Sequence, residues 1–312
     1  MSTTPCPAQM SCEPPTEPTA EEEQIMTPQP AQEIPIPQNF DGMPRCDTKG
    51  GRMFWAANGG AAFSPQIGPN RIFGTDWSGW NAPNRLPYPK LKSEGVEFAI
   101  IKLTQGTSKS NKYVENQIAG ARANGIKIGS YHFTASQKSG DAEQMADREF
   151  EVYKREIRRH GKFDLTPALD FEHGRTHLGR KKTGPDQEAN STHNLKFYIR
   201  FCKRLRDEFK VKPLVYTAAW ARSLFMDPGM KGTPLWRELG QVSTLWWAEY
   251  DRTMDQTLSA PLGGKITQSF SPWSSYDIWQ YSGWGRFQAL RGVGKFDFNS
   301  MKKSSVAALT IP

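Results

Sequence analysis

From residue 71 onward the chain switches repeatedly between two hydrophobic periods, and this alternation constrains its fold more than any other feature. Runs rich in β-branched and aromatic residues occupy 72–77, 97–103, 126–133, 166–172, 212–217, 244–249, 276–281 and 295–299. Helix-type stretches lie between them. Ala146, Phe150, Tyr153 and Ile157 recur at helical spacing, as do Tyr198, Cys202, Leu205 and Phe209, so each set forms one apolar stripe. Eight strands alternating with helices over about 240 residues is the count and size of a closed (β/α) barrel. The connections after Tyr250 and after Tyr281 are too irregular for full helices, so the outer ring is expected to be incomplete late in the chain.

Residues 1–70 are different in kind. They hold 12 of the 23 prolines and few large apolar side chains, and such a segment cannot bury enough surface to offset its ordering entropy. Glycine-rich 59–62 and 68–70 close it. The expected organisation is a Pro-rich acidic arm over 1–70 and a barrel over 71–312. The arm carries eight acidic and three basic residues, net −5, against +8 for the whole chain, so the remainder carries +13. A basic body is either an ordinary solvated surface or one drawn to anionic polymers such as those of a cell wall.

Several classes are excluded. No window approaches the run of about 18 apolar residues that spans a bilayer, so no membrane span is expected. No nucleic-acid-binding motif, phosphate loop or cofactor fingerprint is present. His173 and His177 lie four apart but lack a third metal ligand, so no metal is expected. Cys6, Cys12 and Cys46 give the arm an odd thiol count, either reduced and inert or bonded to another chain. The start lacks the basic and apolar regions of a secretory signal, so the expectation is synthesis in a bacterial cytoplasm without a signal peptide.

Catalytic groups of such barrels sit at the C-terminal ends of strands. Three of the eight runs end in acid, at Asp76, at Asp170 with Glu172, and at Asp297. Side chains alternate along a strand, so Asp170 and Glu172 share a face while Leu169 and Phe171 take the other. Phe296 and Phe298 likewise flank Asp297. Carboxylates converging on one mouth repel, which raises at least one pKa. Glycoside hydrolysis uses that arrangement, with one carboxyl protonated to donate and another ionised. The competing reading is a set of structural acids.

The strand ends, taken in order, resemble the glycoside hydrolase family 25 lysozymes, the N-acetylmuramidases. The likeness runs over 73–301: Asp76-Trp77-Ser78-Gly79-Trp80, Ile100 to Gly106, Gly129-Ser130-Tyr131-His132-Phe133, Asp170-Phe171-Glu172, Val215-Tyr216-Thr217, Leu245 to Tyr250, Trp279-Gln280-Tyr281 and Asp297-Phe298-Asn299. The resemblance implies a TIM-like (β/α)5(β)3 barrel and cleavage of the β-1,4 bond between N-acetylmuramic acid and N-acetylglucosamine. It implies Glu172 as general acid/base with Asp170 beside it, and Asp76 and Asp297 completing an acidic floor. Retention of configuration is expected through a direct carboxylate nucleophile or through the substrate's own N-acetyl oxygen, and the Asp-x-Glu geometry favours the latter.

Lys102, Tyr131 and Tyr216 are the sugar-contacting positions that the resemblance implies. Trp246, Tyr250 and Trp279 are aromatic candidates for the same role, although barrel aromatics are more often packing. His132 falls on the face opposite Tyr131 and is expected in the core, as is Cys202. Gln105 stands where the family more often has Glu, and the loop after Glu172 is unusually basic at Arg180-Lys181-Lys182. The expected partners are peptidoglycan glycan strands and, through the arm, structural proteins of a phage particle. A free phage endolysin and an inactive wall-binding protein are the alternatives.

Overall fold

The first strand shows how the sequence sets the two faces of the barrel. In β1 (Arg71–Trp77) Ile72 points into the barrel interior, while Phe73 and Trp77 join the layer outside it. A Cβ at Gly74 would come within 2.5 Å of the Phe98 ring, so this position accommodates only glycine beside so large an interior side chain. The computed structural model describes residues 70–81, 86–134, 140–172, 185–218, 221, 228–249, 271–285 and 296–311. The arm up to residue 69, with Cys6, Cys12 and Cys46, lies outside them. So do His173, His177, the Arg180-Lys181-Lys182 loop, Tyr250 and most of the two late connections.

The remaining strands are β2 (Val96–Gln105), β3 (Ser108–Lys109), β4 (Lys127–Phe133), β5 (Ala168–Asp170), β6 (Leu214–Ala218), β7 (Thr244–Ala248), β8 (Ile278–Gly285) and β9 (Phe296–Lys302). Pairing runs β1-β9-β8-β7-β6-β5-β4-β2, and β2 also pairs with β1, which closes eight strands into a barrel. The two-residue β3 only folds back on β2 as a hairpin, and the sequence pattern gives no sign of it. Helices α1 (Tyr88–Ser93), α2 (Val114–Ala123), α3 (Ala142–His160), α4 (Pro185–Phe209) and α5 (Pro234–Val242) follow β1, β2, β4, β5 and β6 in turn. Among the described residues no helix follows β7 or β8, giving the (β/α)5(β)3 arrangement. A single turn, α6 (Val306–Leu309), ends the chain and places Leu309 in the barrel interior.

One strand runs against the others. β9 is antiparallel to both β8 and β1, whereas every other barrel pairing is parallel. The ten residues between β8 and β9 are too few for a parallel crossover. The expectation that Asp297 ends its strand is therefore corrected. It lies at the start of β9, and the reversed direction is what brings it to the same mouth as the C-terminal ends of the parallel strands.

Two apolar layers hold the barrel. Phe98, Ile100, Leu165, Ala168, Leu214 and Ile278 fill its interior, while Leu103, Phe150, Tyr153, Leu169, Phe171, Phe201 and Cys202 pack between strands and helices. Each fully buried large apolar side chain contributes roughly 1.5–3 kcal/mol. The anticipated stripes of α3 and α4 face this outer layer, with Phe209 at its edge. Across their polar flanks Arg200 grips Asp147 through two 2.9 Å bonds. Among the described residues, no helix is long and apolar enough to cross a membrane.

Candidate active site

Every barrel strand sends a side chain to one mouth. A cavity of about 290 Å³ there is lined by Asp76, Lys102, Tyr131, Phe133, Asp170, Glu172, Tyr216, Trp246, Gln280 and Asp297, with Ser78 and Trp80 at the rim. Register explains the convergence. Asp170 aligns with Tyr216, Tyr216 with Trp246, Gln280 with Asn299, and Asp76 with Asp297. On β2 the pairing with β4 slips between Lys102 and Thr104, a bulge that turns Thr104 away from the mouth. Thr104 Oγ1 instead lies 2.7 Å from Nδ1 of His132, whose Nε2 lies 2.8 Å from Glu149 Oε2. His132 is thus a buried structural side chain of the outer layer, as its strand face indicates.

The carboxyl groups form two pairs. Asp170 lies within hydrogen-bonding reach of Glu172, and Asp76 within reach of Asp297. At such separations each carboxylate opposes the ionisation of its neighbour. Burial is the main force on all four. It raises Glu172 to about 7, helped by repulsion from Asp76, and Asp76 to about 6. Asp170 is pushed well above the usual range by burial and then by Glu172, and Asp297 by burial and then by Asp76.

Asp76 is also the best-solvated by protein donors. Its Oδ2 accepts Nε2 of Gln280 at 2.9 Å and Nδ2 of Asn299 at 2.7 Å, which favour its ionised form. Both amides are fixed in turn, Gln280 Oε1 by Tyr216 OH at 2.8 Å and Asn299 Oδ1 by Trp246 Nε1 at 2.8 Å. Tyr131, Tyr216 and Trp246 pack edge to face beneath the carboxyls. Asp170, by contrast, has a buried Oδ1 that receives no N–H or hydroxyl hydrogen bond among the described residues. Its backbone carbonyl accepts Thr134 Oγ1 at 2.9 Å, and that of Phe171 accepts Thr217 Oγ1 at 3.1 Å, so the end of β5 is tied on both sides.

Lys102 supplies the cation. Its Nζ donates to Gln105 Oε1 at 2.9 Å and lies 4.3 Å from the centre of the Phe133 ring. Burial lowers its pKa, and attraction to Asp170 and Glu172 opposes that shift. Because Gln105 is neutral, it orients the ammonium without cancelling its charge. Among the described residues no group of three or more His, Cys, Asp and Glu side chains is arranged to hold a metal.

The structure thus brings together Asp76, Asp170, Glu172, Asp297, Lys102, Tyr131, Tyr216 and Trp246, and it removes Trp279. Strand alternation places Gln280 inward, so Trp279 turns into the outer layer, where its Nε1 donates to Glu249 O at 3.0 Å and its ring meets Tyr281. Gln280, Asn299 and Trp80 were not singled out as site residues from the sequence. Alternation within Trp279-Gln280-Tyr281 could have found Gln280. Trp80 is 61% exposed, the one large apolar side chain so exposed among the described residues.

Comparison with known proteins agrees with this architecture. The family model of glycosyl hydrolases family 25 matches residues 75–290. Lysozyme M1 of Streptomyces globisporus is 27% identical over 242 residues, 75% of this chain and 70% of that protein. Among solved structures, the spore cortex lytic enzyme SleM of Clostridium perfringens aligns with a TM-score of 0.58, 23% identity, and coverage of 78% of this chain and 71% of that one. A family GH25 lysozyme from Aspergillus fumigatus aligns with a TM-score of 0.54, 19% identity, and 74% and 93% coverage.

Proposed function

This chain belongs to glycosyl hydrolase family 25 and is a glycoside hydrolase of the lysozyme type; on that footing we propose that it is an N-acetylmuramidase of bacterial peptidoglycan. The bond cut is the β-1,4 link between N-acetylmuramic acid and N-acetylglucosamine. The observation that carries the reading is the Asp170–Glu172 pair, two neighbouring carboxyls at one strand end that line the same mouth, with Glu172 raised to about 7. A carboxyl in that range is still protonated near neutrality and can donate to a leaving oxygen.

In this mechanism Glu172 gives its proton to the departing glycosidic oxygen. The substrate's N-acetyl oxygen attacks the anomeric carbon as that bond breaks, forming a cyclic intermediate. Asp170, which lines the mouth, accepts the acetamido N–H and orients the attacking oxygen. Glu172, now ionised, takes a proton from the water that opens the ring. Ionised Asp76 stabilises the oxocarbenium-like transition state from the floor, and Lys102, Tyr131, Tyr216 and Trp246 shape the sugar site. An inactive wall-binding barrel would gain nothing from burying four carboxyls at the expense of stability. Reduction of digested peptidoglycan with borohydride tests the bond: the reduced sugar should be muramic acid, and glucosaminitol as the main product would assign the opposite bond.

We further propose that the arm tethers the barrel to a larger assembly, a phage particle acting on the wall from outside. The Pro-rich acidic composition and the odd count of Cys6, Cys12 and Cys46 support this, since such a segment orders only on a partner. A chain starting at Ile72 should still cleave peptidoglycan. The full chain from its native source should co-purify with particles and show a reductant-sensitive band, whereas a free monomer with three reactive thiols would favour a free endolysin.

A further inference from the structure

A second concave surface lies at the other end of the barrel. Lys212 sits just before β6, Thr244 begins β7, and Asp277 sits just before β8, so the groove they line is at the N-terminal ends of the parallel strands, opposite the carboxyls. It has a volume of about 700 Å³, more than twice that of the catalytic cavity. Lys210, Lys212 and Arg237 stand around it, and Trp273 forms part of its wall. Trp273 is fixed by its Nε1, which donates to Ser243 Oγ at 3.0 Å.

The charges of this groove are unbalanced. Several exposed or half-exposed cations elsewhere on the barrel pair with carboxylates, Arg200 with Asp147, Lys203 with Glu238, Arg204 with Glu151 and Arg159 with Glu115, although Lys92 and Arg122 bond to backbone carbonyls instead. Around the groove, Lys210 bonds to the carbonyl of Asp207 and Arg237 to that of Gly232. Among the described residues neither they nor Lys212 pairs with a carboxylate. The groove's own acid, Asp277, already accepts Ser305 Oγ at 2.5 Å and lies beside Lys302. Three uncompensated cations around one cleft focus a positive potential there.

We propose that this groove binds a phosphodiester-linked anionic polymer of the bacterial wall, holding the enzyme to its substrate while the opposite mouth remains open. The choice of polymer rests on the wall-cleaving reading; the groove and its charge do not. The repeating phosphates match the cations around the groove. Attachment at the far end of the barrel leaves both sites usable at once.

The test uses the full chain with purified poly(glycerol phosphate) as probe, and walls with or without that polymer. Lys212→Gln with Arg237→Gln should weaken polymer binding by about 3- to 20-fold at low salt, two exposed ion pairs being worth about that much. Lys90→Gln with Lys92→Gln removes the same net charge from exposed side chains of α1 and should change binding less than twofold. Activity on polymer-free peptidoglycan should be unchanged in both, while the groove variant loses its advantage on polymer-bearing walls. Equal weakening by both pairs, or no weakening by the groove pair, would overturn the proposal. Retained polymer binding by a chain that cleaves no peptidoglycan would instead sink the muramidase reading and leave the groove standing.

Discussion

Asp76 and Asp297 face each other as register partners across the antiparallel β1–β9 pair, with their carboxyl groups within hydrogen-bonding reach. Burial and then repulsion from Asp76 hold Asp297 well above the usual carboxylate range. Asp76 instead has Gln280 and Asn299 donating to it, which favours its ionised form. A barrel whose last strand ran parallel would present the other end of that strand to the mouth, and this pair would not exist.

Gln280→Leu tests the support of Asp76. The substitution removes one donor from the Asp76 carboxylate and the acceptor of Tyr216 OH. The Asp76 pKa should rise above about 6, moving the acidic limb of the kcat/KM profile upward by roughly a unit. An unmoved acidic limb would mean that Asp76 is not the group that titrates there.

The wild-type profile should be bell-shaped. Asp76 must be ionised, so activity rises through about pH 6, and Glu172 must be protonated, so it falls through about pH 7. These limbs describe the coupled cluster and not isolated residues. Reducing-end release measured across the range should peak near pH 6.5, between those two values. A rate still climbing at alkaline pH would exclude Glu172 as the acid.

Glu172→Gln should stabilise the fold at high pH. A carboxyl whose folded pKa is raised from 4.5 to about 7 binds its proton more tightly when folded. Its contribution is fully present below the unfolded pKa and is lost as pH rises through the folded one. Above about pH 7 the glutamine variant should gain up to about 3 kcal/mol, and the gain should vanish towards pH 4. Denaturant melts at two pH values check this; a gain that is the same at both would contradict it.

Two tryptophans separate binding from packing. Trp80 lies exposed at the rim of the mouth, so Trp80→Ala should raise KM about 5- to 10-fold with little change in stability. Trp279 lies in the outer layer, so Trp279→Ala should cost about 3–5 kcal/mol of stability and leave KM of the folded fraction unchanged. Reversed effects, read from kinetics and melts, would put Trp279 back in the site.

Much of this was legible in the sequence because it depends on local period. Alternation placed Asp170 and Glu172 together with Leu169 and Phe171 behind them, and His132 behind Tyr131. Helical spacing located the stripes of α3 and α4. What escaped depends on pairing between distant segments. No local pattern states that β9 runs antiparallel, that Asp76 meets Asp297, or that Asn299 lies between Trp246 and Asp76. The Trp279 error differs: its alternation with Gln280 was readable, but an aromatic residue beside a sugar site drew more weight than the strand face it occupied.

The central claim, that Glu172 donates the proton in glycosidic cleavage, is tested most directly by the rate of reducing-end release from purified peptidoglycan by Glu172→Gln, measured near the wild-type optimum. Glutamine keeps the shape and cannot transfer the proton, so the rate should fall about 100- to 10,000-fold while the protein melts at or above the wild-type temperature. A well-folded Glu172→Gln protein that loses less than about tenfold would contradict the account.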